Sequence, residues 1–156
     1  MAPLSPDTLP AALALNNAHA VELSLQTPQS FAKLVEAAFF ARWSPAGEAF
    51  LIAFDQDGDY GSVNFLWFKA RLDRFVYVDR VVVAPLHRGR GLAKALYGAL
   101  FVAAREAGHS RIVCEVNSDP PNPASDAFHA ALGFREIGSA LLEGHGKTVR
   151  YLAVDL

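Results

Sequence analysis

The stretch Val81-Val-Val-Ala-Pro-Leu-His-Arg-Gly-Arg-Gly-Leu-Ala-Lys94 gathers more chemistry than any other part of the chain. A Val-rich run enters a loop with two glycines and two arginines, and the loop opens a helical pattern. A helix N-terminus presents backbone N–H groups without intrahelical partners and a partial positive charge, so it attracts phosphate. Gly89 and Gly91 let the backbone approach an anion closely, and Arg88 and Arg90 add charge. These residue types in this order make a pyrophosphate cradle. The nucleotide P-loop is excluded, because Gly-x4-Gly-Lys-Ser/Thr is absent. The dinucleotide fingerprint fails too: its third glycine is replaced by Lys94, and no acidic residue precedes Glu115 at the spacing it needs.

Two further groups could move protons. Glu115 and Asn117 share one face of an extended run, and Cys114 faces the other way. On the short helical pattern that follows, Ala124, Ala127, Phe128, Ala131 and Leu132 form the expected buried stripe. Asn122, Ser125 and His129 fall on a separate, polar face. An imidazole there can give up a proton near neutrality, and a carboxylate can accept one.

The elements that position these residues follow from local signals. Residues 1–10 hold Pro3, Pro6 and Pro10 and read as a loose lead-in to a single domain spanning 1–156. Ala11–Leu15 is too short for its period to separate strand from helix. Thr27-Pro28 predicts a helix start, with Phe31, Leu34, Val35, Ala38 and Phe39 at helical spacing to about Arg42. Phe50–Phe54, Val63–Phe68 and Phe75–Val83 read as three strands of an antiparallel meander, the last ended by Pro85. Leu92, Leu96, Ala99, Leu100 and Ala103 mark a helix closed by Gly108. A strand over Ile112–Val116, a helix from about Pro123 to Leu132, and a hairpin of Phe134–Leu142 with Thr148–Val154 complete the order. The plan is mixed α/β or α+β, with a right-handed crossover between Phe75 and Val116.

Val81–Lys94 resembles motif A of the GNAT (Gcn5-related) N-acetyltransferases, whose core is Arg/Gln-x-x-Gly-x-Gly/Ala, here Arg88-Gly-Arg-Gly91-Leu-Ala93. Asn122-Pro-Ala-Ser-Asp-Ala-Phe-His-Ala-Ala-Leu-Gly-Phe134 resembles that family's later motif, Asn-x-x-Ala-x-x-Leu-Tyr-x-x-Leu-Gly-Phe. The two stand in the family's order, and the resemblance covers about residues 48–154. Leu15-Asn-Asn-Ala-His-Ala20, Asn64-Phe-Leu-Trp-Phe68 and Tyr77-Val-Asp-Arg80 are similar to a bacterial branch of the same superfamily, a likeness that brings no substrate with it.

The resemblance implies the GNAT acyl-CoA fold, a mostly antiparallel central sheet flanked by helices. It implies that the backbone of Val81, Val82 and Val83 pairs with the pantetheine arm of acetyl-CoA. The amides of Gly89, Arg90, Gly91, Leu92, Ala93 and Lys94, with the Arg88 side chain, would hold its pyrophosphate. Asn117, Asn122 and Ser125 would make polar contacts to the cofactor. A bulge in the strand before the cradle would splay it from its neighbour, and an amide near Val83 would stabilise the oxyanion. His129 stands where the family often has a tyrosine that protonates the leaving thiolate, a role that it or a water would fill. Glu115 stands where some members carry a catalytic base, although water chains can serve instead.

The implied activity is transfer of acetyl from acetyl-CoA to a primary amine by direct attack in a ternary complex. Cys114, turned away from Glu115, argues against a covalent acetyl-cysteine step. The exchange of tyrosine for His129 keeps a second reading open, a non-catalytic CoA or acyl-CoA sensor of the same fold. The acceptor, a small molecule or a peptide, would be met by Asn16, Asn17, His19 and Glu22, by Asp55–Tyr60, by Asn64–Phe68 and by Glu143–Lys147. Carboxylates among these favour a cationic amine. Asp79 and Arg80 read as an ion pair within a strand.

Composition bounds the rest. Fourteen Lys and Arg against sixteen Asp and Glu leave a net charge of −2, which argues against a surface for nucleic acid or anionic membrane. One cysteine excludes an internal disulfide and a Cys-rich zinc site, and no metal is expected. The chain offers neither a membrane-spanning run nor the positive start of a signal peptide, so a cytoplasmic location is expected. The apolar composition allows a homodimer, common in the superfamily.

Overall fold

The computed structural model describes residues 1–19 and 23–156. In chain order the elements are β1 (Ala2–Pro3), α1 (Leu9–Ala18), α2 (Pro28–Ala37), β2 (Phe40–Trp43), β3 (Ala49–Asp55), α3 (Val63–Lys69), β4 (Val76–Val83), α4 (Leu92–Glu106), β5 (Arg111–Asp119), α5 (Pro123–Ala131), β6 (Arg135–Leu142) and β7 (Lys147–Asp155). The seven strands form one sheet in the order β1-β2-β3-β4-β5-β7-β6. All neighbours are antiparallel except β4 and β5, which are parallel and joined through α4. A mixed α/β, mostly antiparallel sheet flanked by helices is therefore what the chain forms.

Alternation along the strands divides the core in two. Phe50, Ile52, Phe54, Tyr77, Val113 and Tyr151 face α1, α2 and α3. Leu51, Ala53, Val76, Ile112, Cys114 and Leu152 face α4 and α5. Because the central strands are covered on both faces, β3 is buried at six consecutive positions and reads as an unbroken apolar run.

Three local expectations are corrected, and one open reading is settled. The proline-rich lead-in is structured: Ala2 and Pro3 pair with β2, and Leu4 is in the core. Proline suits such an edge because the side that needs a ladder N–H there is free. The undecided Ala11–Leu15 run lies within α1. The helix beginning at Thr27 has its capping box but ends at Ala37, since Ala38 is extended and Phe40–Trp43 join the sheet. Most consequentially, Val63–Phe68 is not a strand. Ser62 caps it, and Phe65 and Phe68, three residues apart, form the buried stripe of α3. The antiparallel run is therefore β2-β3-β4, with α3 inserted before its last strand.

Candidate active site

The site begins with a fault in the sheet. Arg80 lies opposite Ile52 and Val78 opposite Ala53, so Asp79 is an extra residue that bulges β4. β4 then pairs with β5 only at Val76–Ile112 and Tyr77–Val113, and beyond that point the strands part. The Ala84 amide donates to the Glu48 carbonyl at 2.7 Å, so Val82 and Ala84 turn their main chain toward β3. By alternation Val81 and Val83 turn theirs to the open edge. Arg88 Nε indeed donates to the Val83 carbonyl there, at 3.4 Å.

Two connected cavities occupy the opening. A groove of about 870 Å³ runs between the end of β4, the N-terminus of α4 and α5. It is lined by Val81, Val82, Val83, Arg88, Gly89, Gly91, Leu92, Ala93, Lys94, Asn122, Ser125 and His129 among others. A smaller gap of about 200 Å³ passes between the parted strands, where Asn64, Asp79, Tyr97, Glu115, Asn117 and Lys147 stand. Val81, Asn122, Ser125 and His129 line both cavities and so mark the junction.

The cradle has the form that its residue types require. Gly89 and Gly91 both have φ near +77°, a conformation that residues with a Cβ rarely adopt, and a Cβ at either would point into open space. Gly91 is the N-cap of α4 and offers no side-chain acceptor, so the first amides of the helix lack side-chain caps. Of the cofactor residues named from the sequence, two lie off the groove. Arg90 instead lies 3.3 Å from His87 Nδ1, and Asn117 faces the gap. His19, placed above with the acceptor segments, lines the groove, and its Nε2 is 3.3 Å from Arg88. Glu22 lies outside the described residues.

Glu115 projects from β5 toward the α3 face. Its Oε2 is enclosed and has no hydrogen-bond partner. Burial pushes its pKa up to about 7, with Asp79 adding to the rise, while Tyr77 and Asn64 work against it. Cys114 points to the opposite face, buried, and burial holds its thiol well above the ordinary range.

His129 shares the cavity junction with Asn122 and Ser125, as their common face implies, but is only 6% exposed. Residues Ala124, Ala127 and Ala131, expected in the buried stripe, are exposed. The apolar stripe is not the buried side because α5 packs against α4 through His129 and turns Ala124 and Phe128 to the groove. His129 Nδ1 lies 2.8 Å from the Ser125 carbonyl, which fixes a proton on that nitrogen. Its Nε2 lies 2.9 Å from the hydroxyl of Tyr97, a fully buried residue of α4. Burial lowers its pKa below the ordinary histidine value. Tyr97 escaped the sequence reading. Its position one residue after Leu96 on the apolar stripe was the only available signal, and its partner lies 32 residues away.

Asp79 and Arg80 do form an ion pair, at 2.6 Å, with both side chains buried. Tyr60 donates to Asp79 at 2.6 Å, and Arg80 donates to the wholly buried Asn16 at 2.8 Å. Among the described residues no cluster of His, Cys, Asp and Glu could hold a metal ion. None of the described helices is long and apolar enough to cross a membrane.

The profile of the acetyltransferase (GNAT) family matches residues 17–134. Among curated protein sequences none matches the chain. Solved structures with the same fold include the ribosomal-protein-S18-alanine N-acetyltransferase from Escherichia coli, 18% identical, with a TM-score of 0.69, covering 99% of this chain and 91% of that one. The ribosomal-protein-alanine N-acetyltransferase from Brucella melitensis is 20% identical, with a TM-score of 0.70, covering 98% and 97%. A chain of the NatC complex bound to Gag peptide and CoA is 14% identical, with a TM-score of 0.71, covering 99% and 96%.

Proposed function

Because the chain belongs to the acetyltransferase (GNAT) family, and is thus an N-acetyltransferase that draws on acetyl-CoA, we propose that it acetylates a primary amine by direct attack, with Glu115 as the base. The observation that carries this reading is the parted pair β4 and β5, with the glycine cradle on one side and, on the other, a carboxylate whose Oε2 is enclosed and unpartnered. The uncapped start of α4, Gly89, Gly91 and Arg88 suit a diphosphate, and the open edge at Val81 and Val83 suits an amide-bearing arm. Bound acetyl-CoA supplies the activated acetyl thioester.

The chain's own groups do the rest. Val81 lines both cavities, so its N–H, rather than one near Val83, is the donor set to meet the charge that develops on the thioester oxygen. Glu115 takes the proton that an ammonium must lose before its nitrogen can attack. Its partly neutral state near pH 7 matches that task. Cys114 is buried, and burial holds its thiol well above the ordinary range, so it carries no acetyl group. The acceptor enters from the α3 side, past Asn64, Asp79 and Lys147. The protein-alanine N-acetyltransferases of the same fold favour a peptide N-terminus as one acceptor class. The small gap equally suits a small amine. The homodimer and the cytoplasmic location belong to the same proposal.

Calorimetry with acetyl-CoA tests the cradle, and thiol release across small amines and N-terminal peptides tests turnover. Binding at micromolar concentration and release with one acceptor class are expected. Gly91→Val should weaken binding at least 10-fold, because a side chain there forces φ away from +77° and enters the groove. Unchanged affinity would overturn the cradle, and binding without thiol release from any amine would overturn the enzyme reading.

A further inference from the structure

Hydrogen-bond geometry on the cofactor side of the gap assigns a catalytic task to Tyr97, a residue that the family motifs do not single out. Glu115 belongs to the face of α3, whereas Tyr97 and His129 belong to the face of α4 and α5. The proton taken from the amine and the proton given to the sulfur are thus handled on opposite faces of one sheet. On the second face His129 has a single nitrogen free to titrate. Nδ1 is committed to the Ser125 carbonyl at 2.8 Å, leaving Nε2, and Nε2 meets the Tyr97 hydroxyl at 2.9 Å. With His129 neutral, the Tyr97 hydroxyl donates to Nε2 and its oxygen lone pairs are left for the gap that it lines.

We propose that Tyr97 and His129 form a two-member proton relay to the departing sulfur, with the Tyr97 hydroxyl as the group that touches it. The inference rests on the acetyl-transfer reading above. As the acyl C–S bond breaks, its electron pair stays on sulfur, and the hydroxyl proton of Tyr97 moves to that sulfur. At the same moment the Nε2 proton of charged His129 moves to the Tyr97 oxygen. His129 is left neutral, its bond from Tyr97 reversed, an arrangement that the 2.9 Å separation between Nε2 and the hydroxyl accommodates. Solvent returns a proton to Nε2 before the next turnover. One proton enters the pair and one leaves, so neither residue changes over the cycle.

The charged groups facing the pair are few. Asp126 on α5 favours the imidazolium, while Cys114 on the same face as Tyr97 and Glu115 across the sheet oppose ionisation of the hydroxyl. Tyr97 thus passes a proton without remaining a phenolate. Burial disfavours charged His129, so activity should fall as pH rises through the range where it titrates, while it climbs as Glu115 ionises. The wild-type profile is a bell.

Tyr97→Phe keeps the ring and removes the proton. In the whole protein with acetyl-CoA and the best acceptor, kcat should drop about 100-fold. Both KM values should stay within a few-fold, and the alkaline limb of the bell should vanish. His129→Gln should lose the same limb. Independently of turnover, nitrogen-15 NMR of His129 should show the proton held on Nδ1 and titration at Nε2. Tyr97→Phe should shift the Nε2 resonance and leave Nδ1 in place. Wild-type kcat and an unaltered bell in Tyr97→Phe would overturn the relay, as would titration at Nδ1. Acetyl-CoA that neither binds nor reacts with the wild-type protein would overturn the acetyl-transfer reading instead, so the two failures are distinct.

Discussion

Two titratable side chains on opposite faces of the sheet bear burial in opposite senses. Burial disfavours whichever form is charged, so it raises Glu115 to about 7 and lowers His129. For stability the signs follow directly. A carboxyl with an unfolded pKa near ~4.3 that titrates higher in the fold binds its proton more tightly when folded. Its cost to stability is therefore absent at low pH, grows as pH climbs from the unfolded value to about 7, and is constant above. Glu115→Gln removes the ionisation while keeping the shape. At pH 8 the variant should exceed the wild type by on the order of 2 kcal/mol, discounted for the partial exposure of the residue, a rise of several degrees in Tm. At pH 4.5 the two should melt together. Turnover at pH 8 should fall by about 100-fold or more. A melting difference that is the same at both pH values would show that Glu115 does not titrate where its surroundings place it.

Elements differ in how far their own residues determine them. The cradle is local: strand, two glycines with positive φ and an uncapped helix start follow one another within a dozen residues, and the sequence reading located them. The hairpin of β6 and β7 and the α4 crossover were legible for the same reason. α3 was not, because Phe65 and Trp67 alternate as a strand would while Phe65 and Phe68 recur as a helix would. Only Ser62 ahead of the run and Lys69 in its last turn tip the balance. What holds α3 in place is tertiary: Trp67 stacks on Tyr151 with ring centroids 3.9 Å apart, and Tyr151 donates to Asn64 at 2.9 Å. β6 makes room for the indole with Gly138, where a Cβ would stand 2.6 Å from Trp67. Gly138→Ala should therefore push the indole off Tyr151 and destabilise the protein by about 1–3 kcal/mol. Asn64 moves with its helix, so the KM for the acceptor should rise several-fold while acetyl-CoA affinity holds. An equal loss of both would mean that α3 does not border the acceptor side.

At the scale of the whole molecule, the net charge of −2 conceals a local asymmetry: His87, Arg88 and Lys94 line the groove with no acidic residue among the described residues that line it, whereas in the gap Asp79 and Glu115 stand with Arg80 and Lys147. The N-terminal helices are tied to the gap by one buried polar chain, Tyr60–Asp79–Arg80–Asn16. Its longest link joins residues 64 apart, which is why no local pattern revealed it and why only the neighbouring pair Asp79–Arg80 was legible. Asn16 also donates to the Ser24 carbonyl at 3.1 Å, so the chain ties Ser24, next to the gap-lining Leu23, to the bulge of β4. Both charged side chains are about 5% exposed or less. Removing one charge leaves the other buried and unpaired, which costs about 3–5 kcal/mol, whereas removing both costs far less. Arg80→Met should thus lower stability in urea by about 3–5 kcal/mol, and Asp79→Asn/Arg80→Met together should recover at least about 1.5 kcal/mol of that loss. The bulge is held also by the β3 register, so the double variant should still bind acetyl-CoA. Its turnover should fall, because the segment that borders the gap is no longer fixed. Additive losses in the double variant would show that the pair is not coupled. Wild-type turnover in it would show that the chain secures the fold without reaching the site.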